Sequence, residues 1–342
     1  MIHLHKKRVT IGDLALELGL STRAVSQALN PRDSNVKLSP KTVERIQQLA
    51  RERNYRPDSR ARAMRYGRFN NIGYFEAKRK ADSWPLLGAE SGICDVASEH
   101  RYRVGLIRLP SDPPQGSDSI PSVFREGNLD ALILSHAGNL SPELEDVIDA
   151  SGFPVVYLNE KKKKNAVYVD DYRAAIEITR HVISQGKRRI VYLGTVERES
   201  HYSGRDRMLG YRKAMEKAGL KAEVVEATER NPHWERDLRQ WFRTHSEVEA
   251  IVAYSDYAAL QVFRLIRGSS REIPRNLLLT GFGDDFGKEC SPVPLTTMRI
   301  PFYEMGRAAA EMALELITKG SEAVPARAFA AELVVRESSM SA

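Results

Sequence analysis

From residue 70 onward, short runs rich in β-branched and other apolar residues alternate with longer amphipathic stretches of helical periodicity. The amphipathic stretches lie around residues 86–100, 172–185, 205–218, 257–267 and 303–319, and the short runs are NIGYF, VGLIRL, DALILS, PVVYLN, RRIVYLG, EAIVAY and NLLLTGF. Parallel strands need a crossover connection, usually a helix, so this alternation predicts parallel sheets with helices on both faces. We therefore expect an α/β body with doubly wound parallel sheets.

Charge divides the chain into a basic beginning and a nearly neutral remainder. The sequence has 342 residues and a formal net charge of +7, and residues 1–68 hold 15 Lys+Arg against 6 Asp+Glu. The rest of the chain holds 37 basic and 39 acidic residues. This length suits two or three compact units. A basic terminal unit joined to a neutral body is typical of a nucleic-acid reader carried by another domain.

The stretch VTIGDLALELGLSTRAVSQALN has the signature of two short helices joined by a tight turn. Thr10 and Ser21 are suitable N-cap residues, and Gly19 can adopt the left-handed backbone that ends the first helix. Ser39 then caps a third helix that begins with Pro40. A plain three-helix bundle is the alternative, but the surrounding charge favours an N-terminal three-helix helix-turn-helix domain.

The start of the second helix in such a motif points into the major groove. Arginine can bind guanine, and glutamine can bind adenine, through two hydrogen bonds each. We predict base contacts from Thr22, Arg23 and Gln27, with a phosphate contact or a solvated side chain as the alternative for each. The capping hydroxyls and nearby amides are predicted to hold phosphates, at Thr10, Ser21 and Ser39.

The next segment, ERNYRPDSRARAMRYGRFNNIGYF, resembles the hinge of the lactose-repressor (LacI/GalR) family of bacterial regulators. The resemblance extends from the reader to the C-terminal AAELVVRESS and is carried at the hinge by Asn54, Tyr55, Pro57, Ala61, Arg62 and the pair Ile72-Gly73. It implies a sequence-specific DNA-binding regulator that binds a pseudo-palindromic operator as a homodimer and is controlled by a small effector. A carbohydrate is the expected effector, and a repressor the expected mode of action.

The resemblance also implies the domain organisation. We expect a reader at residues 1–57, a hinge helix and linker at 58–69, and a two-lobed periplasmic-binding-protein-like body at 70–342. Lobe 1 would comprise about residues 70–168 and 299–328, and lobe 2 about 169–298 and 329–342. Three crossover segments would join the lobes, and the ligand cleft would lie between them, at the carboxyl ends of the strands.

The hinge is too short to be a stable helix alone. Asp58 or Ser59 could cap a helix that runs to about Met64, well below the ~12–15 residues that an isolated helix needs in water. We expect it to form only beside its symmetry mate on DNA. By resemblance, Met64 stands where an apolar wedge enters the minor groove, with Ala61 and Arg62 beside it.

Several effector contacts follow from the resemblance. SGRDRMLGYRKAM is similar to the segment whose arginine grips the effector, which indicates Arg207, and Ser203 lies one turn earlier. Loss of Arg207 is therefore expected to abolish the effector response and spare DNA binding. The remaining predicted contacts are Trp84, Asn159, Asp256 and Asp284.

This chain departs from the usual family pattern at several of these positions. Asn159 stands where aspartate is usual, and Gly283 stands where an effector-binding aspartate is common, so that Asp284 or Asp285 would supply the carboxylate. Asp170 is expected to be a structural cap. The lysine run at 161–164 could attract an anionic ligand, although charge runs are more often solvated.

Other classes of protein fit the sequence less well. It contains no G-x-S-x-G elbow, no phosphate-cradling G-x-x-x-x-G-K and no paired metal histidines on a helix, so we expect neither catalytic nor metal-binding residues and no enzyme activity. No apolar run approaches a membrane span, MIHLHKKRVT lacks a signal-peptide core, and Cys94 and Cys290 are the only cysteines, so we expect a cytoplasmic protein and no solute receptor. A nucleobase or a protein co-regulator remains an alternative to the carbohydrate, and a cleft-based α/β enzyme an alternative to the regulator.

Overall fold

The structure, a computed structural model, forms two compact units, Met1–Phe69 and Asn70–Ala342. It describes residues 9–29, 38–57, 67–77, 88–109, 128–135, 146–148, 150, 152–195, 201–227, 233–284, 291–320 and 323–340. Several residues singled out in the sequence lie outside these ranges: Asp58, Ser59, Ala61, Arg62 and Met64 of the predicted hinge, as well as Trp84, Asp285 and Cys290.

Three helices make up the described part of the first unit: α1 (Ile11–Leu18), α2 (Thr22–Leu29) and α3 (Pro40–Glu52). Helix α1 ends at Gly19, whose backbone is left-handed with φ 66°, as expected of a glycine that terminates a helix. The three helices share one apolar core, in which the buried side chains are Leu14, Ala15, Val25, Ala28, Ile46 and Ala50.

The second unit alternates strands and helices, as its sequence pattern predicts. Its helices are α4 (Ala89–Glu99), α5 (Asp171–Ser184), α6 (Tyr202–Lys217), α7 (Trp234–Thr244), α8 (Asp256–Ile266) and α9 (Phe302–Lys319). Its strands are β1 (Asn71–Ala77), β2 (Arg103–Leu109), β3 (Ala131–Ser135), β4 (Val155–Leu158), β5 (Ala166–Val169), β6 (Ile190–Thr195), β7 (Glu223–Ala227), β8 (Ala250–Ala253), β9 (Leu278–Gly283), β10 (Thr296–Arg299), β11 (Arg327–Phe329) and β12 (Glu332–Val334).

These strands form two sheets, with orders β11-β5-β4-β3-β1-β2 and β12-β10-β9-β8-β6-β7. The pairings within the first sheet are parallel, and in the second sheet only β12 runs antiparallel to its neighbour. The chain passes from one sheet to the other after β5, after β10 and after β11. The doubly wound, two-sheet α/β architecture predicted from the sequence is confirmed.

Helices cover both faces of the second sheet. On one face, α7 and α8 pack over the core that contains Leu238, Val262 and Leu279. On the other face, Ile178 of α5 and Tyr211 of α6 share a core with Phe282 and neighbouring strand residues.

Close packing of α5 against α6 depends on one glycine. A Cβ atom at Gly210 would lie 2.3 Å from the backbone oxygen of Tyr172, so a larger residue would push the two helices apart. This approach places Asp171, the first residue of α5, beside the side chains at the start of α6.

Helix α6 begins three residues earlier than its periodicity predicts. The cap is His201, whose ring accepts a hydrogen bond from the Ser203 backbone. Histidine is not a favoured N-cap residue, and its capping role here depends on partners that are distant in the sequence. No helix in the described ranges is long and apolar enough to cross a membrane.

Candidate functional site

The exposed surface at the start of α2 carries two of the predicted base-reading residues. Thr22 and Arg23 are exposed, whereas Gln27 is half-buried one turn later. Ser21 caps the helix, because its Oγ accepts a hydrogen bond from the Ala24 amide at 3.2 Å. The arrangement leaves the Arg23 guanidinium available at the helix end, where a recognition helix meets bases.

The two other predicted phosphate contacts are also helix caps. Thr10 and Asp13 form a reciprocal capping box, with the Asp13 amide 3.2 Å from Thr10 Oγ1 and the Thr10 amide 2.8 Å from Asp13 Oδ2. The Thr10 hydroxyl also donates to Asp13 Oδ2 at 2.8 Å, which engages its hydrogen. Ser39 caps α3 by accepting from the Thr42 amide at 3.2 Å. Backbone amides at these helix ends remain suited to phosphate contacts.

In the second unit, Arg207 on α6 is held by a buried ion pair that the sequence analysis missed. Its Nε donates to Asp171 Oδ1 at 2.6 Å, with only 8% of the arginine side chain and 1% of the aspartate side chain exposed. Its Nη1 donates to the backbone oxygen of Tyr254 at 2.7 Å. The guanidinium carbon lies 4.4 Å from the centre of the Phe282 ring and 4.8 Å from that of Tyr254.

Burial and charge act in opposite directions on Arg207. Burial lowers its pKa by penalising the charged form, but the Asp171 carboxylate outweighs this effect and raises the pKa above its ordinary value. Arg207 is therefore a permanent cation whose counterion belongs to the protein. In the sequence, VDD at residues 169–171 indicates only the cap at Asp170, which the structure confirms, and it gives no sign that Asp171 pairs with Arg207.

Ser203 lies next to Arg207 in a chain of short hydrogen bonds. Its Oγ is 2.7 Å from His201 Nδ1 and 2.7 Å from the Tyr254 hydroxyl. His201 Nε2 lies 2.8 Å from the carbonyl oxygen of Asn159. Because a carbonyl only accepts, Nε2 carries the hydrogen in the neutral ring, and Nδ1 accepts from Ser203. The hydroxyl of Ser203 is thus occupied by partners within the protein.

The beginning of α6 also holds the two sheets together. The Tyr202 hydroxyl donates to Asn159 Oδ1 at 3.1 Å and accepts from the Val169 amide at 3.0 Å, at the ends of β4 and β5. Lys161, just beyond β4, places Nζ 2.5 Å from Asp206 Oδ2. We call these contacts of Asn159, Lys161, Tyr202 and Asp206 the interlobe latch. Arg207 therefore lies within two turns of contacts that join elements of the two sheets.

Burial, followed by the negative charge of Asp171, raises the pKa of the Tyr202 hydroxyl well above its ordinary value. Tyr202 is therefore protonated at every physiological pH and can donate its hydrogen to Asn159.

The two predicted effector carboxylates, Asp256 and Asp284, accept hydrogen bonds from a second set of residues. Asp256 is buried, and its oxygens accept from Thr297 Oγ1 at 2.6 Å and from the Asp284 amide at 2.7 Å. Asp284 accepts from Arg299 Nε at 2.8 Å and forms an ion pair with Arg336 Nη1 at 2.7 Å. Burial raises the pKa of Asp284, but the two arginines outweigh it and lower the pKa overall. These bonds hold the ends of β9 and β10.

All four lysines of the run at 161–164 are exposed, as expected of a charge run, and some of them also contact the protein. Lys161 belongs to the interlobe latch, and the Lys162 ammonium lies 4.1 Å from the centre of the Tyr157 ring. Lys164 forms an isolated β-bridge with Pro325. Of the predicted effector residues, the structure brings Asn159, Ser203 and Arg207 to the beginning of α6, and it joins Asp256 to Asp284 by a hydrogen bond.

Comparisons with known proteins agree with this geometry. A family described as a periplasmic binding protein-like domain matches residues 179–339. The HTH-type transcriptional regulator RegA of Clostridium saccharobutylicum is 25% identical over 340 residues, 97% of this chain and 99% of that protein. The HTH-type transcriptional regulator GntR of Escherichia coli is 27% identical over 335 residues, 94% of this chain and 96% of that protein.

Solved structures show the same fold. A lac repressor dimer bound to operator and the anti-inducer ONPF aligns with a TM-score of 0.78 at 19% identity, covering 98% of this chain and all of that one. A complex of the transcriptional regulator CelR with cellobiose aligns with a TM-score of 0.67 at 22% identity, covering 97% of this chain and all of that one.

A helix-turn-helix unit joined to a two-sheet body of the periplasmic-binding-protein type defines a class of DNA-binding transcriptional regulators, and not a class of enzymes. Within that class, the relatives and solved structures that the chain resembles include catabolite control protein A of Staphylococcus xylosus, MalI of Escherichia coli and the lac repressor.

The interlobe latch can be tested through a single hydroxyl. Tyr202→Phe should lower the free energy of unfolding by about 1–2 kcal/mol, because it leaves the Val169 amide and Asn159 Oδ1 without that partner. Urea unfolding of the full chain measures the loss. Tyr303→Phe is the matched control, since it removes an exposed hydroxyl that bonds Asp95, and it should cost less than about 0.5 kcal/mol. Equal losses would contradict the latch.

Proposed function

We propose that the chain is a repressor that binds a pseudo-palindromic operator as a homodimer, and that a sugar or sugar derivative between the two lobes controls this binding. The CelR relative is described in complex with cellobiose, and the lac repressor as a dimer on operator. In this proposal residues 1–57 read DNA, residues 58–69 form the hinge, and residues 70–342 bind the effector. The proposal divides residues 70–342 into the two lobes expected from the sequence.

One observation carries the effector half of the proposal: the first two turns of α6 contribute both Arg207 and the interlobe latch. A ligand that contacts Arg207 would lie beside the bonds of the interlobe latch, which a change in lobe arrangement would strain or break. Any ligand that changes DNA affinity must bind two lobe arrangements unequally, and such coupling is typically about 1–3 kcal/mol. Arg207 lies where such a difference can arise.

The DNA half is supported by the exposed Arg23 and Thr22 at the start of α2 and by the basic excess of residues 1–68. Gln27 is the third proposed base contact, with Ser21, Ser39 and the α1 N-terminus at Thr10 on phosphates. In the hinge we propose that Met64 enters the minor groove, next to Ala61 and Arg62.

Selection of binding sites from random DNA should recover a two-fold symmetric sequence, because one reader covers only a few base pairs and a dimer doubles the contacts. Affinity for that sequence should fall steeply as salt is raised, since phosphate contacts release counterions. Recovery of only asymmetric single sites, or of no preferred sequence, would refute the homodimeric reader.

Isothermal titration calorimetry of the full chain tests the class of effector. The ligands are neutral sugars, sugar acids, sugar phosphates and nucleobases, and each ligand that binds is then added to an operator-binding assay. A sugar that binds and changes operator affinity supports the proposal. A nucleobase that does so when no sugar binds would favour a nucleobase-responsive regulator, and control by a protein co-regulator would leave all the small molecules without effect.

A further inference from the structure

We propose that the effector is an uncharged, hydroxyl-rich molecule, a neutral sugar or polyol, and that Asp171 is the residue that excludes anionic ligands. The inference depends on the proposed effector cleft and narrows its ligand. Two properties of the buried pair formed by Asp171 and Arg207 support it. The pair has no net charge, and it keeps donor and acceptor atoms that the other described residues do not use.

The protein itself already neutralises the charge of Arg207 in the proposed cleft. An arginine that binds a carboxylate or phosphate ligand offers its positive charge to that ligand. Here Asp171 takes that place, at 2.6 Å from Arg207 Nε with both side chains buried. An anionic ligand would have to compete with a carboxylate that is covalently fixed in the protein and already desolvated.

The hydrogen-bonding capacity that remains matches a hydroxyl group. Asp171 Oδ2 is fully buried and has no hydrogen-bond partner among the described residues. The hydroxyl of Tyr192, whose pKa is affected by both Arg207 and Asp171, is likewise buried and without such a partner. Arg207 uses Nε and Nη1 in its bonds to Asp171 and Tyr254, and within the described ranges no residue accepts from Nη2.

A carboxylate oxygen such as Asp171 Oδ2 needs a donor, and an arginine nitrogen needs an acceptor. A sugar hydroxyl supplies both with one group. A ligand carboxylate or a fully ionised phosphate supplies acceptors only, so it would leave Asp171 Oδ2 unsatisfied and place two negative charges together. The buried pair therefore discriminates by hydrogen-bond polarity as well as by charge.

The nearest member of the lysine run does not restore a positive site. Lys161 is paired with Asp206 at 2.5 Å, and Arg205 lies 3.8 Å from the same aspartate. Asp206 is itself buried. The cation at the cleft rim thus has a protein counterion, as Arg207 does, and this argues against the anionic ligand that the run of lysines suggests in the sequence.

Matched pairs of ligands test the proposal on the full chain. The pairs are glucose with glucuronate, galactose with galacturonate, and ribose with ribose 5-phosphate, with mannitol as an added polyol, measured by calorimetry at constant ionic strength. Within each pair that binds, the neutral member should bind at least about tenfold more tightly, which corresponds to about 1.4 kcal/mol.

Asp171→Asn removes the charge and keeps the shape, so it should shift the preference toward the acidic member by about tenfold or more. Asp170→Asn is the matched control, one residue away. Asp170 caps α5 through the Arg173 amide, a role that asparagine also performs. This control should keep the wild-type preference. A urea unfolding curve for each variant shows whether it is folded.

An acidic member that binds wild-type protein as tightly as its neutral partner would overturn the inference and leave a carbohydrate effector in place. An equal shift of preference in Asp170→Asn and Asp171→Asn would also overturn the inference and leave a carbohydrate effector in place. Binding of a nucleobase with no binding of any sugar, acid or phosphate would instead overturn the proposed carbohydrate function.

Discussion

Replacing Arg207 with alanine should lower the free energy of unfolding by about 3–5 kcal/mol, because it leaves the Asp171 carboxylate buried without its counterion. The substitution also removes the hydrogen bond to the Tyr254 carbonyl and the packing on the Phe282 ring. The sequence predicts a milder result, in which the variant loses only its response to effector. The structure changes that expectation, since an arginine that supports the fold cannot be removed without cost.

Urea unfolding of the full chain measures this loss, with the fluorescence of Trp234 and Trp241 in α7 as a signal from the second sheet. Arg205→Ala is the control, because Arg205 is on the same helix but 71% of its side chain is exposed, and it should change the stability by less than about 0.5 kcal/mol. Arg207→Met combined with Asp171→Leu should recover most of the loss, since apolar replacement of a buried pair is often near neutral. A double variant less stable than Arg207→Ala would contradict this account of the pair.

The same prediction decides how the effector site should be probed. A loss of effector response in Arg207→Ala would have two possible causes, a missing contact and an unfolded lobe. Asp171→Asn keeps the arginine contact but leaves a buried cation without its counterion, so it too should lower the free energy of unfolding. Its ligand preference is therefore compared with that of wild type under conditions in which the urea curve shows the variant to be folded.

Replacing Arg23 with alanine should weaken operator binding by about 1–3 kcal/mol and relax the preference for guanine at one position of each half-site. The side chain is exposed at the first turn of α2, so its loss should leave the core around Val25 and Ile46 intact. Binding titrations against the selected operator and its single-base variants give both quantities.

Arg45→Ala, in the exposed face of α3, is the control for loss of one positive charge in the same unit. It should lower the affinity for all sequences alike, and the salt dependence should fall with it if Arg45 contacts phosphate. If Arg23→Ala behaves in that same uniform way, Arg23 is a phosphate contact and the base-reading assignment is wrong.

Local signals were sufficient for the reader and for the class of the body. Each cap at Thr10, Ser21 and Ser39 acts on an amide within three residues, so sequence spacing contains all the information that it needs. The alternation of apolar runs and amphipathic stretches likewise reports burial along a single segment. The same signals were too weak to identify the edge strand β7 and helix α7, and neither is among the elements expected from the sequence.

Two features of the effector site lay beyond any local pattern. Helix α6 starts at a histidine cap that is positioned by a carbonyl 42 residues away in the chain, at Asn159. Asp256 and Asp284 stay predicted effector contacts, and the structure adds that a hydroxyl, an amide and an arginine near the ends of β9 and β10 donate to them. Whether a carboxylate is free for a ligand depends on which donors the fold brings within reach.

That a basic helix-turn-helix unit precedes a doubly wound α/β body follows from the order of residues, because caps, turns and periodicity are properties of neighbouring residues. The tertiary structure alone decided that Asp171 is the counterion of Arg207. The two residues are 36 positions apart and meet only because Gly210 allows α5 and α6 to approach closely. Charge neutrality in a buried site depends on separations of a few ångströms in space, which the order of residues along the chain does not encode.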